Sequence, residues 1–142
     1  MQSSTPVTLP SLKKLVINID YVEVPSLNLL LCGCPNIKFL YLCTSFHTMD
    51  NVCVPPSLKR LKITNENDVG AYLEINAPDL EYLNITRITF GDVFSMYNLH
   101  NVVEAHLNVF PQPFSSVISL NNLLGNLSGT KHLVLGRSTT KV

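Results

Sequence analysis

Apolar and polar positions along the chain fall into short bursts, and one burst keeps returning. Leu12-x-x-Leu15-x-Ile17 recurs as Ile37-x-x-Leu40-x-Leu42, Leu58-x-x-Leu61-x-Ile63 and Leu80-x-x-Leu83-x-Ile85. Weaker copies follow at Val102-x-x-Ala105-x-Leu107 and Thr130-x-x-Leu133-x-Leu135, each with one apolar slot blunted. The last two apolar residues of each burst are two apart, so on an extended strand they share one face. The four strong copies begin with proline and a small polar residue: Pro10-Ser11, Pro35-Asn36, Pro56-Ser57 and Pro78-Asp79. This pair predicts a turn, because proline fixes its own φ and the polar side chain bonds locally. Between bursts, Ser26 to Cys32 predicts a helix stopped by Gly33 and Pro35. The clearest helix is predicted from Pro113 to Gly129, with Val117, Leu120, Leu123, Leu124 and Leu127 at intervals of three and four and Ser115 or Ser116 as cap. Residues 64–76 are polar, contain Gly70, and predict a loop with a short extended piece.

The middle slot of the burst falls at residues 15, 40, 61, 83, 105 and 133, giving steps of 25, 21, 22, 22 and 28. These bracket the roughly 20–29 residues of a leucine-rich repeat. One such unit cannot cover its own apolar face, so units stack and their strands pair as a parallel sheet. The expected fold class is an α/β solenoid: a leucine-rich-repeat horseshoe arc of about six units, with parallel strands on the concave face and irregular or short helical returns. Residues 1–142 are expected to form one domain, with units starting near residues 10, 35, 56, 78, 100 and 128.

Composition narrows the functions. The chain is 46% hydrophobic and 14% charged, too apolar to stay unfolded and solvated. Ten basic and ten acidic residues cancel, so no overall field directs the chain to nucleic acid or an anionic membrane. The start, MQSSTPVTLP, lacks the basic and apolar regions of a signal peptide, so a cytoplasmic or nuclear setting is expected. Cys32, Cys34, Cys43 and Cys53 form no CxxC pair, and the expectation is buried reduced thiols rather than a metal site or disulfides. His47, His100, His106 and His132 sit in no nucleophile motif and no glycine-rich phosphate loop is present, so neither an enzyme nor a cofactor is expected. Without a secretory route, the sequons at Asn84 and Asn126 read as chance matches.

The longer phrases are more specific than the repeat. LPSLKKL at 9–15, LLLCGCPNIKFLYL at 29–42, PPSLKRLKI at 55–63, INAPDLEYLNI at 75–85, NVVEAHLNV at 101–109 and LLGNLSGTKHLVL at 123–135 occur in this order across nearly the whole chain. This series resembles the plant F-box proteins that carry leucine-rich repeats and often a C-terminal FBD region. The likeness covers the repeat region only, with neither an F-box nor an FBD segment. It implies substrate reception: in such proteins the F-box docks on a Skp-type adaptor of a cullin ubiquitin ligase, while the repeats hold the protein to be ubiquitylated. Adaptor and cullin would then be reached only through an F-box outside these phrases, and the direct partner is a protein substrate of unknown identity.

The side chains beside the core slots are expected to form the partner surface. Strand register puts Lys14, Val16, Asn18, Phe39, Tyr41, Cys43, Arg60, Lys62, Thr64, Tyr82, Asn84, Thr86, Glu104, His106, Asn108, His132 and Val134 on the concave side. The candidate set is Lys14, Phe39, Tyr41, Arg60, Lys62, Tyr82, Asn84 and His106, with aromatic residues and arginine foremost because they dominate binding hot spots. Lys13, Lys14, Lys38, Lys59, Arg60 and Lys62 lie in the first three strand segments, whereas Asp20, Glu23, Asp50, Glu66, Asp68, Glu74 and Asp92 lie in the returns. Such a face suits an acidic peptide or phosphopeptide, although lysine beside LxxL is also an ordinary solubilising choice. Two other readings stand beside substrate reception: a repeat scaffold with no ubiquitin role, and a ligand sensor, which an arc this short and shallow disfavours.

Overall fold

The computed structural model describes residues 7–21, 24–45, 50–65, 73–90, 94–97, 99–111 and 124–136. The recurring burst folds into strands: β1 (Lys14–Tyr21), β2 (Phe39–Ser45), β4 (Arg60–Asn65), β6 (Tyr82–Phe90), β8 (Glu104–Pro111) and β9 (His132–Leu135). They form one six-stranded parallel sheet in the order β1-β2-β4-β6-β8-β9. Register follows the repeat, so that Leu15, Leu40, Leu61, Leu83, Ala105 and Leu133 align across the sheet, as do Ile17, Leu42, Ile63, Ile85, Leu107 and Leu135. From Leu40 to Leu107 both rows are buried. Even Ala105, the blunted slot, is fully enclosed. On β1 the same slots are half-buried, and Leu133 and Leu135 of β9 keep 45% and 38% of their surface exposed. Among the described strands, β1 and β9 have a neighbour on one side only.

One backbone turn precedes every strand of this sheet. A peptide N–H reaches back three residues in Leu12→Leu9, Ile37→Cys34, Leu58→Pro55, Leu80→Ala77, Val102→Leu99 and Thr130→Leu127, at 3.0–3.3 Å. Pro10, Pro35, Pro56 and Pro78 sit at the first central position, where their fixed φ is already correct. In five of the six turns the opening residue supplies a further apolar layer: Cys34, Pro55, Ala77, Leu99 and Leu127 are all buried, while Leu9 of the first turn is exposed. The polar residue at the second central position of the turn, which follows proline in all but the Asn101 turn, reaches beyond its own unit. Asn36 donates to the Pro10 carbonyl at 2.7 Å, Ser57 to the Pro35 and Ile37 carbonyls at 2.9 and 2.7 Å, and Asn101 to the Pro78 carbonyl at 2.9 Å. Each of these bonds joins one unit to the unit before it, so the expected local bond is in fact an inter-unit tie. Asp79 holds the equivalent place, but a carboxylate has no proton to donate.

The returns are more regular than expected, although the short extended piece predicted within residues 64–76 is found there as a strand. β3 (Asp50–Val52), β5 (Leu73–Asn76) and β7 (Phe94–Tyr97) pair in parallel as a second, three-stranded sheet. Each is three or four residues long, too short to show a period, and the near-constant unit length brings them into line. The first return is helical as expected: α1 (Val24–Cys32) carries Pro25 in its first turn, where a missing N–H costs nothing, and buries Leu27 and Leu31 on one face. Its last turn tightens through Gly33 N–H to Leu30 O and Cys34 N–H to Leu31 O, both 3.0 Å. Gly33 is required there because a Cβ would stand 1.6 Å from the Val7 carbonyl oxygen, where residues 7–9 cross and Leu9 N–H bonds to Gly33 O. Most of the expected 113–129 helix lies outside the described residues; residues 124–126 are helical and 127–129 turn. Of the cysteines only Cys34 is buried. Cys32, on the outer side of α1, and Cys53, directly after β3, are exposed, Cys43 is half-buried, and none of the four is in a disulfide.

Candidate functional site

Alternation along the strands sends every residue between the core slots to the opposite face. The pairing register then sorts them into rows perpendicular to the strands. One row is Lys14, Phe39, Arg60, Tyr82, Glu104 and His132, and the next is Val16, Tyr41, Lys62, Asn84, His106 and Val134. All eight candidate residues, Lys14, Phe39, Tyr41, Arg60, Lys62, Tyr82, Asn84 and His106, therefore lie on one face of the sheet. A third row holds Asn18, Cys43, Thr64, Thr86 and Asn108, with the Thr64 and Thr86 hydroxyls 3.1 Å apart.

The face is crossed by contacts between neighbouring strands. The Lys14 ammonium stands 5.0 Å from the centre of the Phe39 ring, the Arg60 guanidinium 4.1 Å from that of Tyr82, and the Lys62 ammonium 4.8 Å from that of Tyr41. Each such pair stabilises by about 0.5–1 kcal/mol at an exposed site. Tyr82 also meets the His106 ring at 5.6 Å between centroids, and its hydroxyl accepts a bond from Asn84 Nδ2 at 3.1 Å. Among the described residues, none of Lys14, Arg60 and Lys62 has a carboxylate within ion-pair distance; the lysine that does is Lys59, which meets Glu81 at 3.5 Å beside the turns. The three cations on the face thus stand against rings and, among the described residues, form no ion pair.

Glu104 completes the group, and candidate selection by aromatic and basic character passed it over. Its signal was Glu104-x-His106, two residues apart on one strand and so on one face. His106 Nε2 lies 2.5 Å from Glu104 Oε2. That hydrogen bond holds the Glu104 carboxyl below the usual carboxylate range, helped by the charges of His106, His132 and Arg60 and opposed by partial desolvation. Two shallow hollows flank this point. One of about 340 Å³ is lined by Lys59, Arg60, Glu81, Tyr82, Val103 and Glu104, and one of about 200 Å³ by Asn84, Ile85, Thr86, His106, Leu107, Val134 and Gly136. Among the described residues no group of three or more histidines, cysteines or acids is placed to hold a metal ion, and no helix is long and apolar enough to cross a membrane.

A turn-and-strand unit repeated six times, with leucine or its equivalent at fixed inward slots, is the signature of a leucine-rich-repeat protein. The chain is 40% identical over 108 residues to an F-box/FBD/LRR-repeat protein of Arabidopsis thaliana, an alignment covering 72% of this chain and 26% of that protein. It is 33% identical over 150 residues to an FBD-associated F-box protein of the same plant, covering 97% of this chain and 32% of the relative. A further Arabidopsis F-box/FBD/LRR-repeat protein is 35% identical over 141 residues, with 92% and 30% covered. The chain belongs to the plant F-box/FBD/LRR-repeat family, and it spans about a quarter to a third of the length of these curated relatives. No protein-family model matches it. No solved structure matches it either.

Proposed function

We propose that this chain is the substrate-recognition repeat region of an F-box ubiquitin ligase subunit: a leucine-rich-repeat solenoid arc of about six units whose concave sheet face takes hold of a protein. The observation that carries this reading is the face itself. Its rings and cations are fixed by neighbours on adjacent strands, so little side-chain entropy is lost when a partner docks on Phe39, Tyr41, Arg60 and Tyr82. Rigid aromatic and arginine anchors on a regular scaffold are what a binding surface needs. In this reading the chain binds and does not catalyse. Contact with a Skp-type adaptor and cullin belongs to an F-box, while the repeats select the protein to be ubiquitylated.

The test joins the chain to an F-box and expresses it in plant cells, with wild-type and Tyr82→Ala faces compared. A protein captured by the wild type, lost with Tyr82→Ala and accumulating when the proteasome is inhibited is the expected result. A captured protein with unchanged turnover favours a repeat scaffold without a ubiquitin role. Capture indifferent to Tyr82, Arg60 and Phe39 overturns the assignment of this face.

A further inference from the structure

The outermost row of the face alternates in a regular way. Read across β1, β2, β4, β6 and β8 it runs Lys14, Phe39, Arg60, Tyr82, Glu104: charge, ring, charge, ring, charge. Strands of a sheet lie about 4.8 Å apart, so successive charges are separated by about 10 Å. We propose that this row binds an acidic segment of a partner protein in polyproline II conformation, with carboxylates three residues apart over Lys14 and Arg60 and a basic residue three further on over Glu104. The proposal rests on the reading of this face as the partner surface and names what the partner must present.

Three observations select this occupant. The first is spacing: polyproline II rises about 3.1 Å per residue with three residues per turn, so residues i and i+3 point the same way about 9.3 Å apart, close to two strand steps. A β-strand fits poorly, since its residues i and i+3 point to opposite sides. The second is charge: Lys14 and Arg60 have no carboxylate at ion-pair distance among the described residues, while Glu104, which also bonds His106 and is followed in the row by His132, brings the opposite sign. A single-stranded nucleic acid, uniformly negative, meets repulsion at Glu104. The third is the rings between the charges. Phe39 and Tyr82 sit where the two intervening residues of each turn would lie, and aromatic surfaces are the usual support for proline-rich segments.

Synthetic peptides provide the experiment. Fluorescence anisotropy with the full 142-residue chain compares labelled Glu-Pro-Pro-Glu-Pro-Pro-Lys and its reversed order with a control holding the same residues but its two glutamates adjacent. One of the two matched orders should bind about tenfold more tightly than the control and lose that advantage as salt rises. Glu104→Lys should transfer preference to Glu-Pro-Pro-Glu-Pro-Pro-Glu, in which the lysine is replaced by glutamate, a gain that a misfolded variant cannot produce. Lys14→Glu with Arg60→Glu should abolish the preference for acid at both places while circular dichroism stays unchanged. Equal binding of matched and control peptides, or no switch with Glu104→Lys, overturns the proposal. If the matched peptides fail while capture in plant cells still depends on Tyr82, this inference falls and the partner surface stands; if neither depends on the face, both fall. A single-stranded oligonucleotide that displaces the peptide at equal salt also overturns it.

Discussion

Leu83 and Asn84 are adjacent on β6 and point to opposite faces, so one substitution at each separates core from surface most sharply. Leu83 is fully buried in the row between Leu61 and Ala105. Leu83→Asp forfeits about 1.5–3 kcal/mol of side-chain burial. Enclosing a carboxylate with no partner costs several kcal/mol more. A total near 5 kcal/mol matches the lower end of the roughly 5–15 kcal/mol that holds a whole domain. Asn84→Asp costs little by comparison. It loses the Nδ2 bond to Tyr82, worth about 1 kcal/mol, yet the new carboxylate can accept from the same hydroxyl. With a urea dependence of about 2 kcal/mol per molar, Leu83→Asp should lower the midpoint by about 2–3 M or prevent folding, while Asn84→Asp shifts it by less than about 0.5 M. A buried aspartate has its pKa raised in the folded state, so the penalty of Leu83→Asp is full at neutral pH and eases as acid protonates it. Equal midpoint shifts for the two variants would refute the assignment of faces on which the binding surface depends.

Other consequences are open to similar measurement. Asp79→Asn supplies the missing donor opposite the Pro56 carbonyl, and thermal unfolding should show a gain of about 0.5–1 kcal/mol, whereas Asn36→Asp removes an existing donor and should lose a similar amount. Gly33→Ala drives a methyl into the Val7 carbonyl, so residues 7–9 must lift away; hydrogen exchange at the Leu9 amide should accelerate more than at Leu40. The folded-state pKa of Glu104 is depressed, so its contribution is present above the ordinary carboxylate range and is lost as pH falls through the lowered value. Glu104→Gln should accordingly lower the neutral plateau of the stability–pH curve slightly below that of the wild type and flatten its acid limb.

Much of this fold was legible because two apolar slots two residues apart, repeated at near-constant intervals, determine both the strand and the face it buries. Lys14, Phe39, Arg60 and Tyr82 followed from the same parity. What escaped was whatever depends on a neighbouring unit. Ser57 reads as a turn residue whether its hydroxyl bonds at home or to Pro35 and Ile37, and only stacking decides. β3, β5 and β7 are three to four residues each, and DNV or FSMY carries no period that separates strand from loop. Cys34 was expected to be buried, but its place in a layer with Ala77, formed by the opening residues of successive turns, is visible only once the turns are aligned. Glu104 was weighed as one polar position among many, since its pairing with His106 is a matter of side-chain geometry.

The ties between units also have a direction. Asn36, Ser57, Asn101 and Thr130 donate to carbonyls that lie earlier in the chain, and Cys53 N–H donates to Asn28 Oδ1. Lys13, Lys38, Lys59, Glu81 and Val103 each offer one carbonyl to two successive N–H groups of the next unit. In these ties at the turns the acceptor comes first and the donor second, whereas Leu9 N–H to Gly33 O and the parallel ladder between strands also run the other way. On a ribosome, every turn that emerges meets the acceptor of its tie already in place, so the array can be laid down unit on unit like courses of brick.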